Sequence, residues 1–243
     1  MRCGPGQCQN GQVDRDQLTL QSASLRELAS SRTIIASALA AILVVNYFAH
    51  GRRFMEDPYF VAGTAVPDWL SVADRRVRAR SKLAEPHAAD RDQRVSAVAR
   101  GIMQHHADDD WFHRSRAFAE LSLQFSSSIR DRLPGDNGFR PGFLGHILVE
   151  ILLDAVLIDE SPEQLDAYYE AMHALDPATV GAAVNRMSTR ATDRLPTLIH
   201  MFRAERFLYD YRDDGKLLTR LNHVMRRVRL LTLPNTMLAF LPE

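Results

Sequence analysis

The sequence predicts an all-α protein, a single compact helical bundle, and three observations carry that prediction. Apolar residues recur at three- and four-residue spacing through several long stretches, as they do on the buried stripe of a helix. Helix-start signals recur: SPEQ at 161–164 and DPAT at 176–179 place Ser or Asp before Pro. No alternating strand pattern longer than a few residues is present, apart from a short piece at 42–48, and there is no internal repeat.

The elements follow in order. Residues 91–113 carry Val95, Val98, Ile102 and Phe112 on one stripe, and 115–131 form a second amphipathic stretch. LPGDNGFRPG, 133–142, is dense in Gly and Pro and ends the pattern. A central helix over about 142–158 comes next. Ser161 as N-cap, Pro162 at the first helical position and Gln164 three residues past the cap then open a helix reaching about Leu175. Asp176 caps another, and 192–211 and 216–231 supply two more around the turn DDG at 213–215.

At 243 residues the chain has room for one large domain, or one domain with an extension, and its apolar fraction of 46% is enough for a sizeable core. Thirty basic residues balance thirty acidic ones, so no whole-chain charge argues for nucleic acid or an anionic membrane. Cys3 and Cys8 form neither a disulfide framework nor a common zinc pattern, which makes a reducing, cytoplasmic setting the default. Thr33 to Ala49 is free of charge. Its length suits a buried core element, a signal peptide, or a membrane anchor at the short edge of a span.

The central helix reads FLGHILVEILLDAVLI from Phe143 to Ile158, and only His146, Glu150 and Asp154 are neither apolar nor glycine. Spaced four apart, they share one narrow stripe. A carboxylate buried without a partner costs several kcal/mol or more, so the stripe requires a metal, an ion-pair network or a strip of solvent. The stretch 91–113 repeats the pattern, because its apolar spacing carries on to His105 and Asp109, two polar residues in core-facing slots. His106, Asp108, Asp110 and His113 stand beside them in HHADDDWFH. His50 ends the apolar NYFAH, and Asp68 follows Pro67 in VPDW, where a turn is expected. Taken singly, each of these is also an ordinary cap, a helix boundary or a packing pair. Together, His50, Asp68, His105, Asp109, His146, Glu150 and Asp154 make a mixed imidazole and carboxylate set, which suits Mn²⁺, Zn²⁺ or Fe²⁺ and argues against calcium.

NYFAH, then GTAVPDW, then GIMQHHADD, then a helix with an inward His, in that order, resembles the acyl carrier protein phosphodiesterase family, relatives of the HD-domain phosphohydrolases. The likeness continues in FLYDYRDDGKLLTRLNHVMRRVRL, at Tyr211, Arg212, Asp213, Leu221, Asn222, Met225, Arg226 and Arg227, and covers roughly 45–231 with an insertion around 75–95. Family members begin at a segment like MNYFAH. The resemblance therefore implies that 1–44 is an extension or a mis-set start ahead of a hydrolase domain over 45–243. The chain departs from the family at His113, where an Asp is usual, and in the carboxylates of the central helix.

The resemblance implies an HD-domain-like fold and a metal-dependent phosphoric ester hydrolase that releases phosphopantetheine from acyl carrier protein or cuts a similar phosphodiester. In that role His106 or His113 protonates the leaving alkoxide and arginines such as Arg226 hold the growing charge. The basic cluster Lys216, Arg220, Arg226, Arg227 and Arg229 suits an acidic partner as well as a solvated face. Two other readings stay open: a zinc-dependent phospholipase C-like hydrolase, and a non-catalytic helical binding protein anchored in a membrane by 33–49.

Overall fold

The computed structural model describes residues 46–133 and 137–239. The cysteines, the expected extension at 1–44 and most of the uncharged stretch 33–49 lie outside the described residues. Those described form an all-α bundle of ten α-helices with four short 3₁₀ turns and no strand. The helices are α1 (Tyr47–Gly51), α2 (Pro58–Ala73), α3 (Ser81–Ala84), α4 (Gln93–His113), α5 (Arg116–Arg132), α6 (Pro141–Glu160), α7 (Pro162–Ala174), α8 (Pro177–Arg186), α9 (Leu195–Glu205) and α10 (Asp214–Arg227).

Side-chain caps fix several of the starts. Asp57 accepts from Phe60 N at 3.1 Å ahead of α2, and Asp92 from Arg94 N at 3.0 Å ahead of α4. Asp176 accepts from Ala178 N and Thr179 N at the head of α8, as the sequence indicates. Ser161 occupies the N-cap of α7 with Pro162 behind it, but its hydroxyl makes no capping bond.

Three local expectations change. Residues 46–48 enter a helix and not a strand. The stretch 192–211 is two elements, because Arg206 takes a left-handed φ of 45° that ends α9 before the 3₁₀ turn Phe207–Arg212. VPDW is no turn either: Pro67 and Asp68 sit inside α2. Proline there has no N–H for the carbonyl of Gly63, four residues back, yet tertiary packing keeps the helix whole.

That packing is against α4. Gly63 and Gly101 face one another so closely that a Cβ on Gly63 would strike the Val98 carbonyl, and one on Gly101 the Phe60 carbonyl. Contacts advance from Phe60–Gly101 to Asp68–His105, so the helices run in the same sense past the crossing. A same-sense pair cannot be joined by a tight turn. The segment 74–92, with α3 and the turn Glu85–His87, carries the chain back.

The pair α5 and α6 behaves differently. A short connection makes it an antiparallel hairpin, with Gly145 pressed onto Ser122 and Ser126. Below both pairs lies an aromatic centre: Phe202 meets Tyr47 at 5.2 Å, Trp69 at 5.3 Å and Phe207 at 5.3 Å between ring centroids. Such edge-on pairs add about 0.5–1.5 kcal/mol each beyond their buried area.

Candidate metal centre

The site begins with α1, a helix of five residues, which is too short to be stable alone. Three anchors hold it. The Tyr47 ring enters the aromatic centre, and Phe48 packs edge-on against Tyr168 at 5.9 Å. The third anchor is Asp154 of α6, whose Oδ2 accepts from Phe48 N at 2.9 Å and Oδ1 from Ala49 N at 2.8 Å. A carboxylate at the N-terminus of α1 answers the free amides there and the positive end of its dipole. Burial pushes Asp154 up to about 7 against the pull of those two bonds. Asp154, expected among the metal ligands, is thus a fully buried strut that fixes the helix carrying His50.

His50 is buried and meets α4. Its Nδ1 lies 3.3 Å from Asp108 Oδ2, while Asp108 Oδ1 accepts from Gln104 Nε2 at 2.8 Å. Burial works against the charged form of Asp108, yet the bonds to His50 and Gln104 hold its carboxyl below the usual range. An ionised carboxylate can only accept, so Nδ1 of His50 donates. In the neutral imidazole the lone pair is then on Nε2. That Nε2 lies 3.4 Å from Asp109 Oδ1 and is buried without a hydrogen-bond partner among the described residues.

His105 stacks obliquely on His50, ring centroids 4.4 Å apart. Its Nε2 is 3.3 Å from Asp109 Oδ2 and its Nδ1 is 4.0 Å from Asp68 Oδ2. Nδ1, like His50 Nε2, is buried without a hydrogen-bond partner among the described residues. Two orphaned imidazole nitrogens between two carboxylates are costly as they stand. Ligand atoms about 2.0–2.1 Å from a tetrahedral ion stand ~3.3 Å apart, close to the separations seen here. His50, His105 and Asp109 therefore could hold a metal ion, with Asp68 beside them.

The charges agree with so crowded a cluster. Burial would lower His50, but Asp108 and Asp109 raise it to about 10. Burial would raise Asp109, but His105 and His50 hold it far below the usual range. Burial lifts Asp68 to about 6 against the pull of both histidines. Without a cation, a proton is drawn to the His50 imidazole; an ion would displace it.

A second group stands one turn further along α4. His113 Nε2 and His146 Nε2 lie 3.0 and 3.1 Å from the same oxygen, Glu150 Oε1. These three also could hold a metal ion. The two-residue junction of α4 and α5 walls the group: Ser115 accepts from Phe118 N at 3.1 Å, and Phe118 lies 4.7 Å from the His113 ring and 4.8 Å from that of His146. The bond to Glu150 raises His113. Burial would raise Glu150, but His113 and His146 hold it low. The seven residues expected as one set therefore divide between two triads, the second completed by His113, which was expected as a proton donor, with Asp68 beside the first and Asp154 as the strut.

The expected proton donors and arginine also separate. His106 Nε2 bonds the Ala79 carbonyl at 2.8 Å, which pins the return segment to α4. Arg226 is exposed, with no acid of the site as ion-pair partner among the described residues. Its neighbour Arg227 is the one that packs inward: half-buried, it donates to the Ser71 carbonyl of α2, and burial lowers it to about 10. A cleft of about 420 Å³ opens beside His50, lined by Arg52, Arg53, Asp108, Trp111 and Leu153 among others. Arg52, Arg53 and Trp111 carried no signal in the sequence, since an arginine pair and one Trp on a polar helix end read as surface.

No family model, curated protein or solved structure matches the chain. The resemblance to the acyl carrier protein phosphodiesterases stands on the quoted motifs.

Proposed function

We propose that this chain is a metal-dependent phosphodiester hydrolase with an HD-domain-like site. The observation that carries the reading is the pair of buried nitrogens, His50 Nε2 and His105 Nδ1, between Asp109 and Asp68, which have no hydrogen-bond partner among the described residues. A divalent ion held there supplies the charge that polarises a phosphoryl oxygen and lowers the pKa of water. Mn²⁺, Zn²⁺ and Fe²⁺ suit the nitrogen and oxygen donors.

The chain's own residues do the rest. Asp108 fixes the His50 tautomer, as outer partners of metal ligands do. Asp154 and the rings of Tyr47 and Phe48 fix the position of α1. Arg52 and Arg53 line the cleft next to His50 and suit the anionic oxygens of a phosphodiester. The phosphopantetheine arm of acyl carrier protein is the substrate the motif resemblance implies.

The test is elemental analysis of purified protein together with turnover of bis(p-nitrophenyl) phosphate. The expected result is bound transition metal and hydrolysis, both lost in His105→Ala with helical content retained. Metal-free wild-type protein whose melting temperature does not rise with Mn²⁺ or Zn²⁺ would overturn the reading.

A further inference from the structure

The geometry points to a second, separate metal site at His113, His146 and Glu150, taking a divalent transition ion on two imidazoles and one carboxylate. It shares no ligand with the centre proposed above.

Three features carry it. The first is convergence. Two Nε2 atoms from different helices meet a single carboxylate oxygen at 3.0 and 3.1 Å, and all three ligand atoms lie within 4.8 Å of one another. One ion at ~2.0–2.1 Å from each atom fits that spacing with small adjustments.

The second is the contrast in burial. Glu150 is 5% exposed, so its carboxylate needs a cation or strong donors. The side chains of His113 and His146 are 33% and 42% exposed, so the side opposite Glu150 opens to solvent. Three protein ligands with one open position is the pattern of reactive metal sites, and two His with one carboxylate is a donor set shared by zinc hydrolases and non-haem iron.

The third is rigidity. Phe118 packs on both rings, the rings lie 4.9 Å apart at 40°, and Gly145 holds α6 tight on α5 one residue before His146. The ligands are thus held in place before any ion arrives, which is what a metal site requires of its supports.

The competing explanation is a hydrogen-bonded His–Glu–His bridge that only staples α4 to α6. Metal stoichiometry separates the two. Protein stripped with chelator is reloaded with Co²⁺ or Zn²⁺, dialysed, and read by elemental analysis and by the visible Co²⁺ spectrum. Wild type is expected to take two ions per chain, His146→Ala and Glu150→Gln one each, His105→Ala one, and the double variant of His105 and His146 none. His146 is half-exposed, so His146→Ala keeps the fold, which circular dichroism checks. Unchanged stoichiometry and Co²⁺ spectrum in both His146→Ala and Glu150→Gln overturn this site. Unchanged stoichiometry in His105→Ala overturns the other centre and leaves this one standing.

Discussion

The triad of His50, His105 and Asp109 draws on helices α1 and α4, with Asp68 added from α2; its two histidines are 3% and 4% exposed. The triad of His113, His146 and Glu150 draws on α4 and α6, with one buried carboxylate and two histidines facing outward. The residue types are nearly the same and the burial is inverted. In the first, one nitrogen of each imidazole is buried without a hydrogen-bond partner among the described residues, so the metal-free state carries a cost. In the second, the hidden group is the carboxylate, and two imidazoles satisfy it. The first triad should depend on an ion for stability as well as chemistry, whereas the second should tolerate its loss.

The largest effect that tests this contrast is on turnover. His105→Ala should lower phosphodiester hydrolysis by more than the ~100-fold that bounds loss of an outer partner, and His146→Ala by less. Equal losses in steady-state assays would erase the distinction between the triads. Asp108→Ala comes next, because it frees the His50 tautomer without removing a ligand. Metal affinity measured by competition with a chromophoric chelator should fall by about 10- to 100-fold while the melting temperature of the metal-free protein changes little.

Asp154→Ala tests the strut. It leaves two amides of α1 without an acceptor, and at roughly 1–3 kcal/mol for each buried donor the variant should lose about 2–6 kcal/mol in urea unfolding. A loss confined to metal binding, with stability intact, would instead return Asp154 to the ligand set. The smallest effects come from the glycines and sort by triad. Gly101→Ala should cost roughly 1–3 kcal/mol and weaken metal binding at His105, because its Cβ meets backbone. Gly145→Ala should cost a similar amount and weaken metal binding at His146, because its Cβ meets the Ser122 carbonyl as well as the Ser126 hydroxyl.

Much of this was legible in the sequence. The helices at 91–113, 115–131 and 142–158 were read to within a few residues, because their apolar stripes are long. His105 and Asp109 were legible as polar residues in core-facing slots, and the stripe His146–Glu150–Asp154 as a costly interruption of an apolar helix. The partition of that stripe was not. Between Glu150 and Asp154, one turn along α6, the partners change from imidazoles to the amides of α1, and spacing on one helix carries no information about which neighbour it faces. Asp68 was placed in a turn because Pro67 reads locally as a breaker, while the close α2–α4 crossing that keeps the helix intact is a long-range effect. Asp108 stood in an acidic run where solvated and structural carboxylates look alike.

One described helix, α6, is long and apolar enough to cross a membrane by length and composition, and more than half of that window is buried against the rest of the protein. The apolar surface that would suit lipid is what packs the bundle. Its polar stripe carries Glu150 at the open triad and Asp154 under α1.

That last contact has a consequence for timing. Phe48 and Asp154 are 106 residues apart, and α1 has too few internal bonds to form before α6 is in place. His50 can reach Asp109 only after this long loop closes, so metal capture at the buried triad reports completed folding. Ions added during refolding should leave the early phases unchanged. In the native protein they should slow amide exchange at Phe48 and Ala49 more than at α5, because an ion gripping His50 locks the last piece to arrive.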